Sequence, residues 1–259
     1  MINNLLTQKR ARNKENEEYF DIPEGFHLDE TKKTENFFIT LPTNHSINRT
    51  PGTYEDVYSK FKVKHNLYIM NSCRLLQAIT KEKGGIRALL LDGKFTRTTY
   101  ALLKLKEKIG RIYIVEINKE TFDLITKNLK DYHNISIFNQ HIGDFVNMNI
   151  DPYINVAYFD VMCSFFTSEK TEGSETIIKK FLAQSKVNEM IFAATFCLRS
   201  SLPIDFVKQK RKILSKLKIL FLLFGFKPTM LTDNNEVIYK GQRANNQGMM
   251  FVLFYLIRE

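Results

Sequence analysis

Cysteine is scarce in this chain, and what there is stands alone. Cys73, Cys163 and Cys197 are far apart, odd in number and in no CxxC spacing, which excludes a disulfide framework and a zinc knuckle. The five histidines (His27, His45, His65, His133, His141) form no ligand spacing, so no metal is expected. No apolar stretch opens the chain, because Met1 to Lys14 is polar and basic, unlike a signal peptide. The longest apolar run in a helical pattern, Ile219 to Phe226, falls far short of the roughly 18–20 residues that a membrane span needs. No GxGxxG, no GxxxxGK[ST] and no internal repeat is present, which argues against a dinucleotide pyrophosphate site and excludes a P-loop. The expectation is an intracellular protein, cytoplasmic or nuclear, in a reducing compartment and with no membrane partner.

What is present is ordinary globular material with an uneven charge. Of 259 residues, 44% are hydrophobic and 25% charged, which excludes a wholly disordered or fibrous chain. Residues 1–60 hold 8 basic and 10 acidic side chains, whereas residues 61–259 hold 30 and 18. A body with that cationic surplus attracts polyanions, nucleic acid first; the plainer reading is a set of solvated lysines. Residues 1–60 lack sustained periodicity and read as an N-terminal arm, partly irregular, without a core of its own. Short apolar islands in it, Tyr19-Phe20 and Phe37-Phe-Ile39, are expected to pin parts of it onto the body, and the arm offers a contact for a protein partner. Residues 61–259 read as one domain.

A helix is expected at about 65–82, with Leu67, Met70, Leu75 and Ile79 as its stripe and Gly84-Gly85 as its stop. Short apolar runs then recur at Arg87–Asp92, Arg111–Glu116, Ile135–Asn139, Ile154–Asp160 and Glu189–Phe196, the look of buried parallel strands. Between them, Thr98 to Lys108 reads as a helix ended by Gly110. Another begins after Asn118, which is placed to cap it, with Phe122, Ile125 and Leu129 on one face. A long helix spans 203–224, and two β-runs, Thr229–Tyr239 and Met249–Ile257, close the chain. Alternating strand and helix calls for a mostly parallel sheet covered on both faces.

In such sheets ligands lie beyond the carboxyl ends of the strands, at the topological switch point. The residues there are Asp92, Gly93 and Lys94 after the first strand, then Glu116 and Ile117 after the second. Asp144 and Phe145 follow the third, and Asp160 ends the fourth. An acid 24 residues beyond Asp92 suits a ribose diol, since a carboxylate accepts two hydrogen bonds. With Gly93 the only glycine of the first loop, a nucleoside cofactor without a pyrophosphate fits better than a dinucleotide.

On these residues the chain resembles the class I S-adenosylmethionine-dependent methyltransferases over about 65–259. Asp92-Gly93 stands where that family has its acidic, glycine-rich first motif. Glu116 matches the ribose-binding acid, Asp144 with Phe145 the pair around the adenine, and Asp160 the acid at the catalytic fourth motif. The resemblance implies a Rossmann-like seven-stranded sheet, mostly parallel, closed by a terminal antiparallel hairpin, with helices on both faces. It also implies S-adenosylmethionine as cofactor. Two departures stand out. Lys94, Phe95, Thr96 and Arg97 occupy the first loop where more glycines are usual. The fourth motif, Phe159-Asp-Val-Met-Cys-Ser164, lacks the Asn/Asp-Pro-Pro-Tyr of amino-methylating nucleic-acid enzymes. Asp151-Pro-Tyr153 precedes the fourth strand and reads as a turn.

Each strand-end acid has a structural alternative, the capping of the following helix. Thr98 and Thr99 read as a helix start. The helix at 205–224 carries Lys208, Lys210, Arg211, Lys212, Lys216 and Lys218 against Asp205 alone. It is either a solvated face or a phosphate contact, with Lys208, Lys210, Arg211 and Lys212 as the candidates, and its apolar end from Ile219 is expected to bury itself on the sheet. The expected function is methyl transfer to RNA or DNA, with Asp160 the candidate catalytic residue. Two alternatives stay open: a catalytically inactive methyltransferase-like scaffold, and a methyltransferase for protein or small molecules.

Overall fold

A computed structural model of the chain describes residues 65–73, 76, 85–93, 95–105, 108–148, 150–160, 165–166, 173–198, 203–231, 238–240 and 248–259. The arm expected over 1–60, the end of the first helix, Lys94, and Cys163 with its neighbours 161–164 lie outside the described residues.

The short apolar runs form β1 (Ile86–Leu90), β2 (Ile109–Val115), β3 (Ile135–Phe138), β4 (Val156–Asp160) and β5 (Glu189–Leu198). Helix α1 covers 65–73. It is followed by α2 (Arg97–Leu103), α3 (Lys119–Leu129), α4 (Ile142–Asn147), α5 (Ser174–Gln184) and α6 (Pro203–Leu223). Three strands close the fold: β6 (Phe226–Met230), β7 (Ile238–Lys240) and β8 (Gly248–Arg258). The sheet runs β3-β2-β1-β4-β5-β8-β6, with the first five strands parallel, β8 antiparallel to β5 and β6, and β7 paired to β8. Winding reverses between β1 and β4, so right-handed crossovers send helices to both faces. This is the Rossmann-like sheet expected.

The terminal hairpin differs in detail. Its first run is split into β6 and β7, which share β8 as partner. Pairing steps from Met230↔Phe254 to Ile238↔Met250, eight positions along the edge against four on β8. The sheet thus has a seven-strand path with a short eighth strand beside it.

Two helices went unassigned in the sequence. The six residues of α4 are too few to show a period, while α5 carries Ile177, Ile178, Phe181 and Leu182 on its buried face. These residues join Phe159, Phe192, Val252 and Phe254 of the sheet and Ile213, Leu217, Leu220 and Phe221 of α6 in one core. Ring contacts of 5.1–5.4 Å link Phe192 to Phe221, Phe221 to Phe254, and Phe159 to Phe181, at the tilts aromatic pairs prefer. On α1 the buried stripe is Ile69, Met70 and Cys73, with Leu67 only half-buried; Leu76, beyond it, is buried too. Burial pushes the Cys73 thiol up to about 12, so it stays a protonated core residue.

Three local expectations need correction. Gly110 does not end α2, which stops at Leu103; it lies inside β2, where the backbone passes close to Gly85 beside a register shift at Ile86/Arg87. The end of α6 is not wholly buried. Leu220 and Phe221 face the sheet, while Ile219, Leu222 and Leu223 are 52%, 59% and 70% exposed, because a 3.6-residue period turns them outward. Asp144, read as a loop aspartate, lies in the first turn of α4.

Asp151-Pro-Tyr153 forms the expected turn. The Asp151 carboxylate accepts from Arg87 Nη1 at 2.8 Å, Tyr113 OH at 2.8 Å and Tyr153 N at 2.9 Å. Burial opposes its charge, but these donors hold its carboxyl below the usual range.

Candidate functional site

Strand register builds the site. Leu90 pairs with Ile114 of β2 and with Tyr158 of β4. Two residues further along each chain stand Asp92, Glu116 and Asp160, so the three acids form one row across β2, β1 and β4. Thr195 of β5 extends it, opposite Asp160. The row lies at the switch point, between β1 and β4, where the winding of the sheet reverses.

Asp92 is 2% exposed, and its Oδ2 accepts from Thr99 N at 2.8 Å and Thr99 Oγ1 at 3.0 Å. It therefore holds the start of α2, as the capping alternative foresaw, and Thr98 and Thr99 do begin that helix. Between them the loop tightens through Thr96 N to Gly93 O at 2.8 Å. Thr96 has φ +50°, a left-handed conformation that strains a β-branched side chain. The Oγ1 atoms of Thr96 and Thr98 are buried without a hydrogen-bond partner, and such orphans call for an explanation. At Gly93 an added Cβ would meet nothing within 4 Å, so space opens before the loop. Replacing Thr96 by glycine is expected to stabilise the protein by about 1 kcal/mol, whereas alanine, which keeps the Cβ, should not. Urea unfolding midpoints of the two variants check it.

After β2, Glu116 Oε1 accepts from Asn118 N at 2.7 Å. Asn139 Nδ2 donates to the carbonyls of Glu116 and Ile117 at 2.9 and 3.2 Å, which fixes the loop. Asn118 caps α3 through Thr121 N, as expected. Ile117 is 65% exposed, an apolar side chain presented at the strand end. After β3, His141 caps α4 by accepting from Gly143 N at 3.1 Å, and Asp144 is exposed. Phe145 turns into the core against Phe138, with centroids 4.9 Å apart.

Behind Asp160 lies a polar cluster that sequence spacing did not show. The Tyr158 hydroxyl is 3.4 Å from His65 Nδ1 and 3.3 Å from Thr195 Oγ1. These residues come from α1, β4 and β5, separated by up to 130 positions, so only tertiary structure gathers them. Among the described residues no group of three or more His, Cys, Asp or Glu could hold a metal ion. None of their helices is long and apolar enough to cross a membrane.

The basic helix divides. Lys208, Arg211 and Lys212 are exposed. Lys210 is half-buried, and burial, then the charge of Arg211, lowers its pKa. Lys212 Nζ lies 4.6 Å from the centre of the Phe166 ring, so α6 flanks the segment that follows β4. Lys216 is 3.9 Å from Glu175 of α5.

No family model and no curated protein sequence matches the chain. Among solved structures, TYW2 of M. jannaschii in complex with AdoMet is similar at 12% identity and TM-score 0.47, over 75% of this chain and 77% of that one. The fibrillarin pre-rRNA processing protein of Methanococcus jannaschii is 18% identical with TM-score 0.46, over 68% of each chain. The N-methyltransferase NodS from Bradyrhizobium japonicum WM9 is 12% identical with TM-score 0.47, over 79% and 98%. By its strand order and closing antiparallel strands, this domain has the Rossmann-like fold of the class I methyltransferases.

Proposed function

We propose that the chain is an S-adenosylmethionine-dependent methyltransferase acting on nucleic acid, RNA or DNA. The observation that carries this reading is the level row of Asp92, Glu116 and Asp160 at the switch point. The space before Gly93, the orphaned hydroxyls of Thr96 and Thr98, and the exposed Ile117 fit a nucleoside with a polar tail. Glu116 would take the ribose hydroxyls, Ile117 would cover one face of the base, and Asp144 would face its amino edge. Asp92 acts by holding the start of α2, beyond Gly93, through Thr99. When bound, the cofactor supplies an electrophilic sulfonium methyl. Asp160 orients the acceptor group at the mouth of the crevice, and fixed proximity supplies most of the acceleration. The exposed cations of α6 beside Phe166, on a body with a surplus of twelve positive charges, favour a phosphate-bearing acceptor.

Calorimetry with S-adenosylmethionine and S-adenosylhomocysteine tests the reading. Glu116→Ala is expected to weaken binding tenfold or more, about 1–3 kcal/mol, by leaving the ribose hydroxyls unpaired. A wild type that gives neither heat nor thermal shift with either compound retires the enzyme. It would leave the scaffold, which the buried, left-handed Thr96 in the first loop favours.

The acceptor class has its own check. Affinity for a mixed-sequence RNA or DNA oligomer should fall steeply with salt, since each neutralised phosphate releases counterions. Neutralising Lys208, Lys210, Arg211 and Lys212 together should flatten that slope, with Lys210 contributing least because it is half-buried. An unchanged slope removes α6 from the interface.

A further inference from the structure

Tyr158 and Asp160 alternate on β4 and so share a face, and Thr195 stands opposite Asp160 on β5. Tyr158 is 1% exposed. Its hydroxyl meets His65 Nδ1 at 3.4 Å and Thr195 Oγ1 at 3.3 Å, and the Asp160 carboxylate stands on the same face of β4, opposite Thr195. A phenol has one proton and two lone pairs. The carboxylate has no proton to give, so the phenol proton goes to Asp160. Thr195 and His65 must then donate into the phenol oxygen, which puts a proton on His65 Nδ1. The imidazole is held for this by lying flat on Phe251, with centroids 4.0 Å apart and planes 8° from parallel. Burial above all, then the nearby charge of Asp160, pushes the Tyr158 hydroxyl well above its ordinary range, so it remains a donor.

We propose that Tyr158 is a positioning residue: steered by His65 and Thr195, its hydroxyl donates to Asp160 and keeps that carboxylate at the mouth of the crevice instead of letting it cap the following segment. This links α1, which precedes the first strand, to the acid at the end of the fourth. Its consequence for turnover rests on the methyltransferase reading; the hydrogen-bond order does not.

Two measurements test it on the full chain. Nitrogen-15 NMR of labelled histidine should find the His65 proton on Nδ1 in the wild type, without cofactor or acceptor, and should find that signal altered in Tyr158→Phe. A proton on Nε2 alone overturns the arrangement. In methyl-transfer assays Tyr158→Phe should lower kcat about tenfold or more while the cofactor Kd stays close to wild type, because a misaimed group costs rate and not binding; the thermal midpoint should fall, since Thr195 and His65 lose their buried acceptor. Equal kcat overturns the positioning role. If the phenylalanine variant does not fold, Thr195→Val, which keeps the shape and removes one donor, takes its place with a smaller expected loss of kcat. A wild type that neither binds S-adenosylmethionine nor transfers methyl sinks the proposed function, and the NMR result then decides the hydrogen-bond order alone.

Discussion

Asp160→Asn is expected to slow methyl transfer about 100-fold or more while leaving cofactor affinity almost unchanged. Asparagine keeps the shape of the side chain, and its amide oxygen still accepts the Tyr158 hydroxyl. What it loses is the charge at the end of β4, level with Asp92 and Glu116. In the proposed reading that charge accepts a hydrogen bond from the acceptor group as the methyl arrives. Labelled-methyl transfer to RNA and DNA pools, with parallel calorimetry, measures both quantities. An asparagine variant as fast as wild type keeps the enzyme and discards Asp160 as its catalytic residue. Absence of transfer by the wild type to any RNA, DNA or protein pool favours the scaffold.

Gly85→Ala should be the most damaging single change to stability outside the core. Gly85 has φ +73°, and an added Cβ would sit 2.6 Å from Lys108 O and 3.0 Å from Gly110 N. Both are backbone atoms at the start of β2, so neither yields without moving the strand. Left-handed strain and the clash together should cost about 3 kcal/mol or more. For a domain of this size that lowers Tm by roughly 6–12 °C. Gly93→Ala is the control, since its Cβ meets nothing within 4 Å, and its stability should stay within about 0.5 kcal/mol of wild type. Thermal unfolding of the two variants side by side decides the matter, and a Gly85 variant as stable as the control overturns the close approach.

Much of the fold was legible because its signals are local. The five parallel strands announce themselves as short apolar runs, since both faces of such strands are buried. Asn118 declared the start of α3 through a side chain able to accept from Thr121 N, and Asp92 and Glu116 marked the strand ends by polarity alone. Local signals also misled. Gly110 looked like a helix stop, and only the approach of Gly85 to the start of β2 explains its place inside a strand. Phe145 looked like a base-flanking residue, yet the position of β3 beneath α4 turns it onto Phe138.

The sequence by itself determined the layered α/β architecture, the cationic surplus of the body and the candidate acids, because each follows from residue type and spacing along the chain. Only the tertiary structure decided how those acids stand to one another. Pairing of Leu90 with both Ile114 and Tyr158 brings Asp92, Glu116 and Asp160 level. The packing of α1 on the sheet brings His65 to Tyr158, whose hydroxyl also meets Thr195. Register and helix docking depend on contacts between residues far apart in the chain, which no local pattern encodes. The structure also shows Thr96 left-handed in the first loop and the last edge of the sheet split into β6 and β7, which no local pattern announced.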